Sequence, residues 1–310
     1  MFAMKISEKN QNRSAIILAG GDGTRLSEVT RRITGVTTPK QFCQVIGSNS
    51  LVEQTRLRVS LAVGGDRIFA VVNRAHERHY RDLLNEILPE NLVIQPENRG
   101  TAPAILFALL RLSNADPHAY VAVVPSDHFV SDDREFMRHV ELAFDAVESQ
   151  PEMIALLGIT PRAVEPGYGW IEPGELVVRR GPLFRVRRFW EKPCREVAGE
   201  LLDAGWMWNS FVMVARVTTL IGLIMTALPE LSASFASIHH RLGTTAEPGC
   251  VERLYQRTPS ASFSDEVLAR HPTNLGVLPV HGIDWSDLGE PQRVMAVLSR
   301  LGIHPEWEAA

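Results

Sequence analysis

Ala15-Ile16-Ile17-Leu18-Ala19-Gly20-Gly21-Asp22-Gly23-Thr24-Arg25-Leu26 is the stretch that decides the fold. Its apolar start has no polar alternation, the mark of a parallel strand buried on both faces. The glycines that follow let backbone N–H groups approach an anion at the carboxyl end of that strand, where open α/β sheets bind ligands. The loop is not a dinucleotide fingerprint, because Gly21-x-Gly23 would need a glycine at Leu26, and a GxxxxGK[ST] P-loop is absent. Arg25 places a fixed cation beside the loop, suited to phosphate oxygens.

Working outward, strand-like runs recur, each followed by a helical pattern. Arg67–Val72 precedes Ala75–Ile87, Leu92–Gln95 precedes Ala102–Leu112, and Tyr120–Val124 precedes Arg134–Glu148, with Met153–Gly158 next. Such alternation predicts βαβ units on a Rossmann-like, mostly parallel sheet flanked by helices. After Gly158 the pattern changes. Tyr168–Ile171, Leu176–Val178 and Phe184–Phe189, broken at Pro173-Gly174 and Gly181-Pro182, read as an antiparallel lobe. Helical patterns over Glu196–Ala204, Thr218–Leu228 and Leu231–Leu242 flank the strand Ser210–Ala215, and the strand Asn274–Val280 precedes a closing helix from Pro291.

Of 310 residues, 45% are hydrophobic and 22% charged, with a net charge of −4. These figures exclude a polybasic nucleic-acid binder and an acidic disordered chain. No apolar run reaches the ~20 residues of a membrane span, and no secretory signal opens the chain. Cys43, Cys194 and Cys250 form no CxxC pair, which favours a reducing cytoplasm over a disulfide scaffold or zinc site. Residues 1–13 read as a flexible tail before one domain, 14–310, of two halves, the first to about 132 and the second from about 133 onward.

Further motifs follow in order: Pro39-Lys40-Gln41-Phe42, Thr101-Ala102-Pro103-Ala104, Pro125-Ser126-Asp127-His128, Gly167-Tyr168-Gly169-Trp170-Ile171, Glu191-Lys192-Pro193 and Trp208-Asn209-Ser210. With the glycine loop and Trp285-Ser286-Asp287, this series resembles the sugar-phosphate nucleotidyltransferases, and among them the mannose-1-phosphate guanylyltransferases. The resemblance implies the nucleotide-diphospho-sugar transferase fold. It also implies attack of a sugar-1-phosphate on the α-phosphorus of a nucleoside triphosphate, GTP and mannose-1-phosphate being favoured. A phosphate nucleophile is largely ionised near pH 7, since its second pKa is about 6. Positioning and cations, rather than a general base, should carry such catalysis.

By the same resemblance, Arg25 and Lys40 are the catalytic cations, and Asp127 and Asp287 hold Mg²⁺, a hard cation that prefers oxygen ligands. Leu18, Ala19, Gly20, Gly21, Gly23, Thr24, Gln95, Gly100, Thr101 and Ser126 meet the nucleotide, while Gly169, Glu191, Lys192 and Asn209 meet the sugar phosphate. Read alone, Asp127 also fits a helix N-cap and Asp287 a turn, and Arg179, Arg180, Arg185, Arg187 and Arg188 fit a solvated hairpin face. Three features depart from the guanylyltransferase pattern: Gly100 replaces Asn, Phe211 stands where Gly is usual, and the Arg25–Lys40 segment is longer, implying a mobile loop. Asp265 matches too loosely to carry a role. A homodimer would use the apolar stretch Leu220–Leu242, and a chain ending at Ala310 implies one catalytic module. Alternatives are another sugar-1-phosphate or nucleotide, or a silent nucleotide-sugar-binding regulatory subunit; retention of Arg25, Lys40, Asp127 and Asp287 argues against the last.

Overall fold

The computed structural model describes residues 12–179, 181–305 and 307. Its strands are β1 (Arg13–Leu18), β2 (Ile68–Asn73), β3 (Leu92–Gln95), β4 (Tyr120–Pro125), β5 (Phe129–Val130), β6 (Ile154–Ile159), β7 (Gly169–Val178), β8 (Leu183–Glu191), β9 (Met207–Arg216), β10 (Leu275–Val280) and β11 (Trp285–Ser286). The helices are α1 (Ser27–Thr34), α2 (Leu51–Val59), α3 (Glu77–Tyr80), α4 (Thr101–Ala115), α5 (Asp133–Ser149), α6 (Arg195–Asp203), α7 (Val217–Ala227), α8 (Pro229–Ala236), α9 (Glu247–Tyr255) and α10 (Pro291–Arg300).

Among the described residues, nine strands form one sheet in the order β3-β2-β1-β4-β9-β6-β10-β8-β7, and β5 pairs with β11 apart from it. β1 runs parallel to β2 and β4, β2 to β3, and β6 to β10. β9 inserts antiparallel between β4 and β6, and β8 is antiparallel to both β10 and β7. The antiparallel lobe therefore continues the main sheet instead of standing beside it, and Trp170 in β7 also pairs with Trp208 in β9. Every residue of β2, β6 and β10 is buried, as expected of strands covered on both faces. Helix α4 is buried along most of its length and α5 on one face, where Asp132 caps its start by accepting from the Glu135 N–H at 2.9 Å.

Several boundaries differ from the sequence expectation. The tail was expected to reach residue 13, yet Arg13 opens β1 and is buried. Its guanidinium donates to Glu148 at 2.7 Å and Asp145 at 2.6 Å on α5, and that partnership makes burial of a charge tolerable. The first 11 residues of the expected tail, and Arg180, lie outside the described residues. Helical bonding over Ala75–Ile87 lapses after Tyr80 into turns, and His76, Tyr80, Leu84 and Ile87 keep a buried face ahead of Pro89. The Leu231–Leu242 helix stops at Ala236. Between Arg25 and Lys40, where a loop was expected, α1 forms and ends at Gly35, whose φ of 76° closes the helix in the left-handed region. Helix α2, begun by a Ser50–Glu53 capping box, and helix α9 had no counterpart in the sequence reading.

Candidate active site

The glycine loop leaves the carboxyl end of β1 and is fixed from both sides. The Ala19 N–H donates to Val71 at 2.8 Å, and the Ser126 N–H donates to the Leu18 carbonyl at 3.1 Å. Gln41 carries the main tether: its amide donates to the carbonyls of Ala19 at 3.0 Å and Gly21 at 2.7 Å. The sequence reading gave Gln41 no role, although its place next to Lys40 in the Pro39–Phe42 motif was the available signal. A side chain at Gly20 would lie 2.6 Å from the Gln95 amide nitrogen, and one at Gly23, where φ is 63°, would lie 2.9 Å from the Lys40 backbone nitrogen. Gly23 is therefore demanded by its backbone contact and positive φ, whereas a side chain at Gly20 would displace the Gln95 amide. Thr24 and Arg25 sit on the exposed turn that follows, and Arg25 has no ion-pair partner among the described residues.

Below the loop opens a cleft of about 330 Å³. Of the expected nucleotide residues, Leu18, Gly20, Gly21, Gln95, Gly100 and Thr101 line it, as does Asp127, whereas Ala19 and Ser126 are buried behind it. Gln95 is held by the Tyr255 hydroxyl, which donates to its Oε1 at 3.1 Å. Gly100 has a φ of 85°, and a Cβ there would stand 2.4 Å from the Ala261 carbonyl oxygen. That contact leaves no room for the asparagine of the family pattern. Thr101 begins α4, and its hydroxyl oxygen accepts from the Phe263 N–H at 2.8 Å. The start of α4 turns the positive end of a 15-residue helix towards the cleft, a favourable place for phosphate. Asn98, His128 and Phe211 also line it without having been assigned there. Burial pushes the His128 imidazole down to about 4, so it is neutral near pH 7. Phe211 holds a φ of 60°, which favours glycine, while its N–H is fixed by the Asn209 side-chain oxygen at 3.0 Å.

Lys40 is the junction between the two halves. Its ammonium donates to the carbonyl oxygens of Asp287 at 2.6 Å and Leu288 at 3.0 Å, and lies 3.2 Å from an Asp127 carboxylate oxygen. Lys40 thus joins the Asp127 carboxylate to the backbone carbonyl of Asp287, despite the separation of the two aspartates in sequence. Their surroundings differ. Asp127 keeps about a quarter of its side chain exposed, and its second oxygen comes no nearer than 3.7 Å to His128. An open carboxylate beside a phosphate-sized cleft fits Mg²⁺, which keeps several waters and binds through one or two carboxylates. Both Asp287 oxygens instead lie 2.8 Å from one Arg293 nitrogen, and one also accepts from the Gly289 N–H at 2.8 Å. Burial would raise the Asp287 carboxyl, but Arg293, with lesser help from His128 and Lys40, holds it below the usual aspartate value. In this arrangement Asp287 is a salt-bridge partner and does not fit an open metal ligand. Arg293 in turn lies over the Tyr168 ring at 4.4 Å and bonds Glu165 at 3.0 Å. Neither Arg293 nor Glu165 was singled out from the sequence.

The expected sugar-side residues Gly169, Glu191 and Asn209 converge. A Cβ on Gly169 would lie 2.7 Å from a Glu191 carboxylate oxygen and 3.3 Å from Asn209 Cβ, because Gly169 pairs with Glu191 across the β7–β8 hairpin. Burial raises the Glu191 carboxyl; Lys192 opposes this, and the nearby Asp265 charge adds to it. Lys192 adopts a φ of 45°, donates its N–H to the Tyr168 carbonyl at 3.2 Å, and sends an exposed ammonium to Glu191 at 3.1 Å. Asn209 joins this group to the cleft through its bond to Phe211.

Comparison with known proteins agrees with this geometry. A family model described as Nucleotidyl transferase matches residues 14–301. Mannose-1-phosphate guanylyltransferase of Escherichia coli is 28% identical over 279 residues, covering 88% of this chain and 57% of that protein. Xanthan biosynthesis protein XanB of Xanthomonas campestris pv. campestris (strain B100) is 34% identical over 291 residues, covering 93% and 60% respectively. The chain thus spans less than two thirds of the length of these curated relatives. Among solved structures, one named mannose-1-phosphate geranyltransferase from Thermus thermophilus gives a TM-score of 0.77 at 25% identity, covering 95% of this chain and 80% of that one. One named mannose-6-phosphate isomerase from Helicobacter pylori gives 0.69 at 21% identity, covering 89% and 99%, a likeness of fold alone. With a match running from the first strand to the last helix, the chain belongs to the nucleotidyl transferase family.

Proposed function

We propose that this protein transfers a nucleotidyl group from a nucleoside triphosphate to a sugar-1-phosphate, with GTP and mannose-1-phosphate as the preferred pair and GDP-mannose as product. One observation carries the reading. The phosphate-suited cleft below the glycine loop and the Gly169–Glu191–Asn209 group share a wall through the Asn209–Phe211 bond, while Lys40 stands where both halves meet. In the proposed reaction an oxygen of the sugar phosphate forms a bond to the α-phosphorus, the bond from that phosphorus to the bridging oxygen of the β-phosphate breaks, and pyrophosphate leaves. No proton need be abstracted from the nucleophile, because its phosphate is largely ionised near pH 7.

Arg25, exposed and unpaired among the described residues, meets the triphosphate, and Lys40 offsets charge on the transferring group. The α4 N-terminus adds the positive end of its helix dipole, and Glu191 and Asn209 read sugar hydroxyls. Asp127 would hold Mg²⁺, with Asp287 joining only when its Arg293 contact opens; bound there, the metal supplies positive charge against the phosphate oxygens. Pyrophosphate release measured with each of the four ribonucleoside triphosphates and a panel of sugar-1-phosphates tests the reading. The preferred pair is expected to exceed the others in kcat/KM. Turnover of another pair with none of this one would overturn the GTP and mannose assignment, and no turnover of any pair would overturn the reaction itself.

A further inference from the structure

A second cavity, of about 530 Å³, lies away from the cleft between α8 and α9. Three arginines line it, Arg241, Arg253 and Arg257, and among the described residues no carboxylate does. Arg241 and Arg253 each point a guanidinium nitrogen at the same atom, the sulfur of Cys250, at 3.4 and 3.5 Å. None of the three has an ion-pair partner among the described residues. The neighbouring acids on α9 are engaged elsewhere, Glu252 with Arg74 and Glu247 with Arg111. The three guanidinium groups are exposed, Arg241 also donating to His240 at 3.2 Å, and with no acid among the lining residues they concentrate positive charge in a chain of net charge −4, which favours an anion.

We propose that this cavity binds a small phosphate-bearing anion. Guanidinium groups match phosphate oxygens in paired geometry. The space exceeds that of the nucleotide cleft, so an organic phosphate fits as well as the free ion. Ser234 and Ser237 donate their hydroxyl protons to the Glu230 and Ser234 carbonyls, so in this cavity their oxygens are acceptors for ligand hydroxyls. The cavity also has a route to the cleft. The same helix that carries Cys250 and Arg253 ends at Tyr255, whose hydroxyl bonds Gln95 at 3.1 Å, and the chain then reaches Ala261 against Gly100. Binding itself does not rest on the proposed nucleotide reading.

Isothermal titration of the full chain with inorganic phosphate, and separately with a hexose 6-phosphate, tests the site. Binding is expected in the wild type and should weaken about tenfold or more in Arg253→Gln/Arg257→Gln, given the strength of charge-assisted hydrogen bonds. Arg241→Gln, measured alongside, covers the case in which the double variant fails to fold, and Arg216→Gln serves as a control away from the cavity. Tighter hexose phosphate than phosphate identifies an organic ligand, and equal affinity identifies the free anion; both support the site. No binding in the wild type, unchanged affinity in the cavity variants, or an equal loss in Arg216→Gln would overturn it. Because no turnover is measured, failure here is distinct from failure of the proposed reaction.

Discussion

Arg293 grips Asp287 through a single nitrogen, 2.8 Å from each carboxylate oxygen, at the point where a metal ligand was expected. Both side chains are largely buried, so breaking the pair strands a charge. Arg293→Gln is expected to cost about 3 kcal/mol of stability, read as a fall in the urea midpoint. It should also bind Mn²⁺ several-fold more tightly, as the freed Asp287 joins Asp127, whereas Asp127→Asn should bind it at least tenfold more weakly. Electron paramagnetic resonance of free Mn²⁺ measures both. Unchanged affinity in Arg293→Gln would mean that Asp287 takes no part in metal binding.

Lys40 is nearly buried and serves two carbonyls as well as Asp127. Lys40→Met keeps much of the stem volume but removes the ammonium, so kcat should fall by about two to three orders of magnitude, the usual cost of losing one electrostatic stabiliser. Retention of more than a tenth of wild-type kcat would remove Lys40 from the catalytic group.

At Gly100 the positive φ and the 2.4 Å approach to the Ala261 oxygen act together. Gly100→Ala should destabilise by roughly 1–3 kcal/mol and raise KM for the triphosphate, because Ala261 also accepts from the Ala102 N–H at the start of α4. Phe211 presents the opposite case, a bulky residue in a glycine-like conformation. Phe211→Gly relieves backbone strain while losing the edge contact with Phe263 at 6.2 Å. Its stability should therefore change by less than about 1 kcal/mol, with the effect falling on KM rather than kcat. A large stability loss would show that the ring, not the backbone, decides this position.

Burial pushes the Cys43 thiol up to about 12, and Cys250 is buried as well, whereas Cys194 is exposed. A raised pKa means that Cys43 stays protonated, hence unreactive, throughout pH 7–9. Titration of the native protein at pH 8 with a chromogenic disulfide should show a fast Cys194 thiol, lost in Cys194→Ala, and no fast reaction of Cys43. Rapid reaction of Cys43 would contradict its closed setting beside the Lys40 turn.

No helix among the described residues is long and apolar enough to cross a membrane. Within the chain, local pattern was enough for the elements that bury a whole face. β3 has the bounds that its apolar run predicts, and β1, β2 and β4 fall within two residues of theirs. Gly20, Gly23 and Gly169 were legible for a similar reason, since a missing side chain there records close approach, whereas a Cβ at Gly21 would meet open space. Helices α1 and α2 were missed because their sequences are mostly polar, and α2 takes its definition from a cap, not from a stripe.

The sequence by itself determined which residue types stand at strand ends: a glycine turn after β1, a carboxylate after β4 and an amide in β9. Only the tertiary structure decided their partners. That Gln41 ties the glycine loop, that Lys40 joins Asp127 to the Asp287 backbone, and that Arg293 closes the Asp287 carboxylate are contacts made by the folded chain. The first and last of these lie within one half of the chain each, whereas the Lys40 contact spans the two halves that antiparallel β9, inserted between β4 and β6, joins in one sheet. A one-dimensional pattern records the periodicity of burial but not which charge, once buried, faces which.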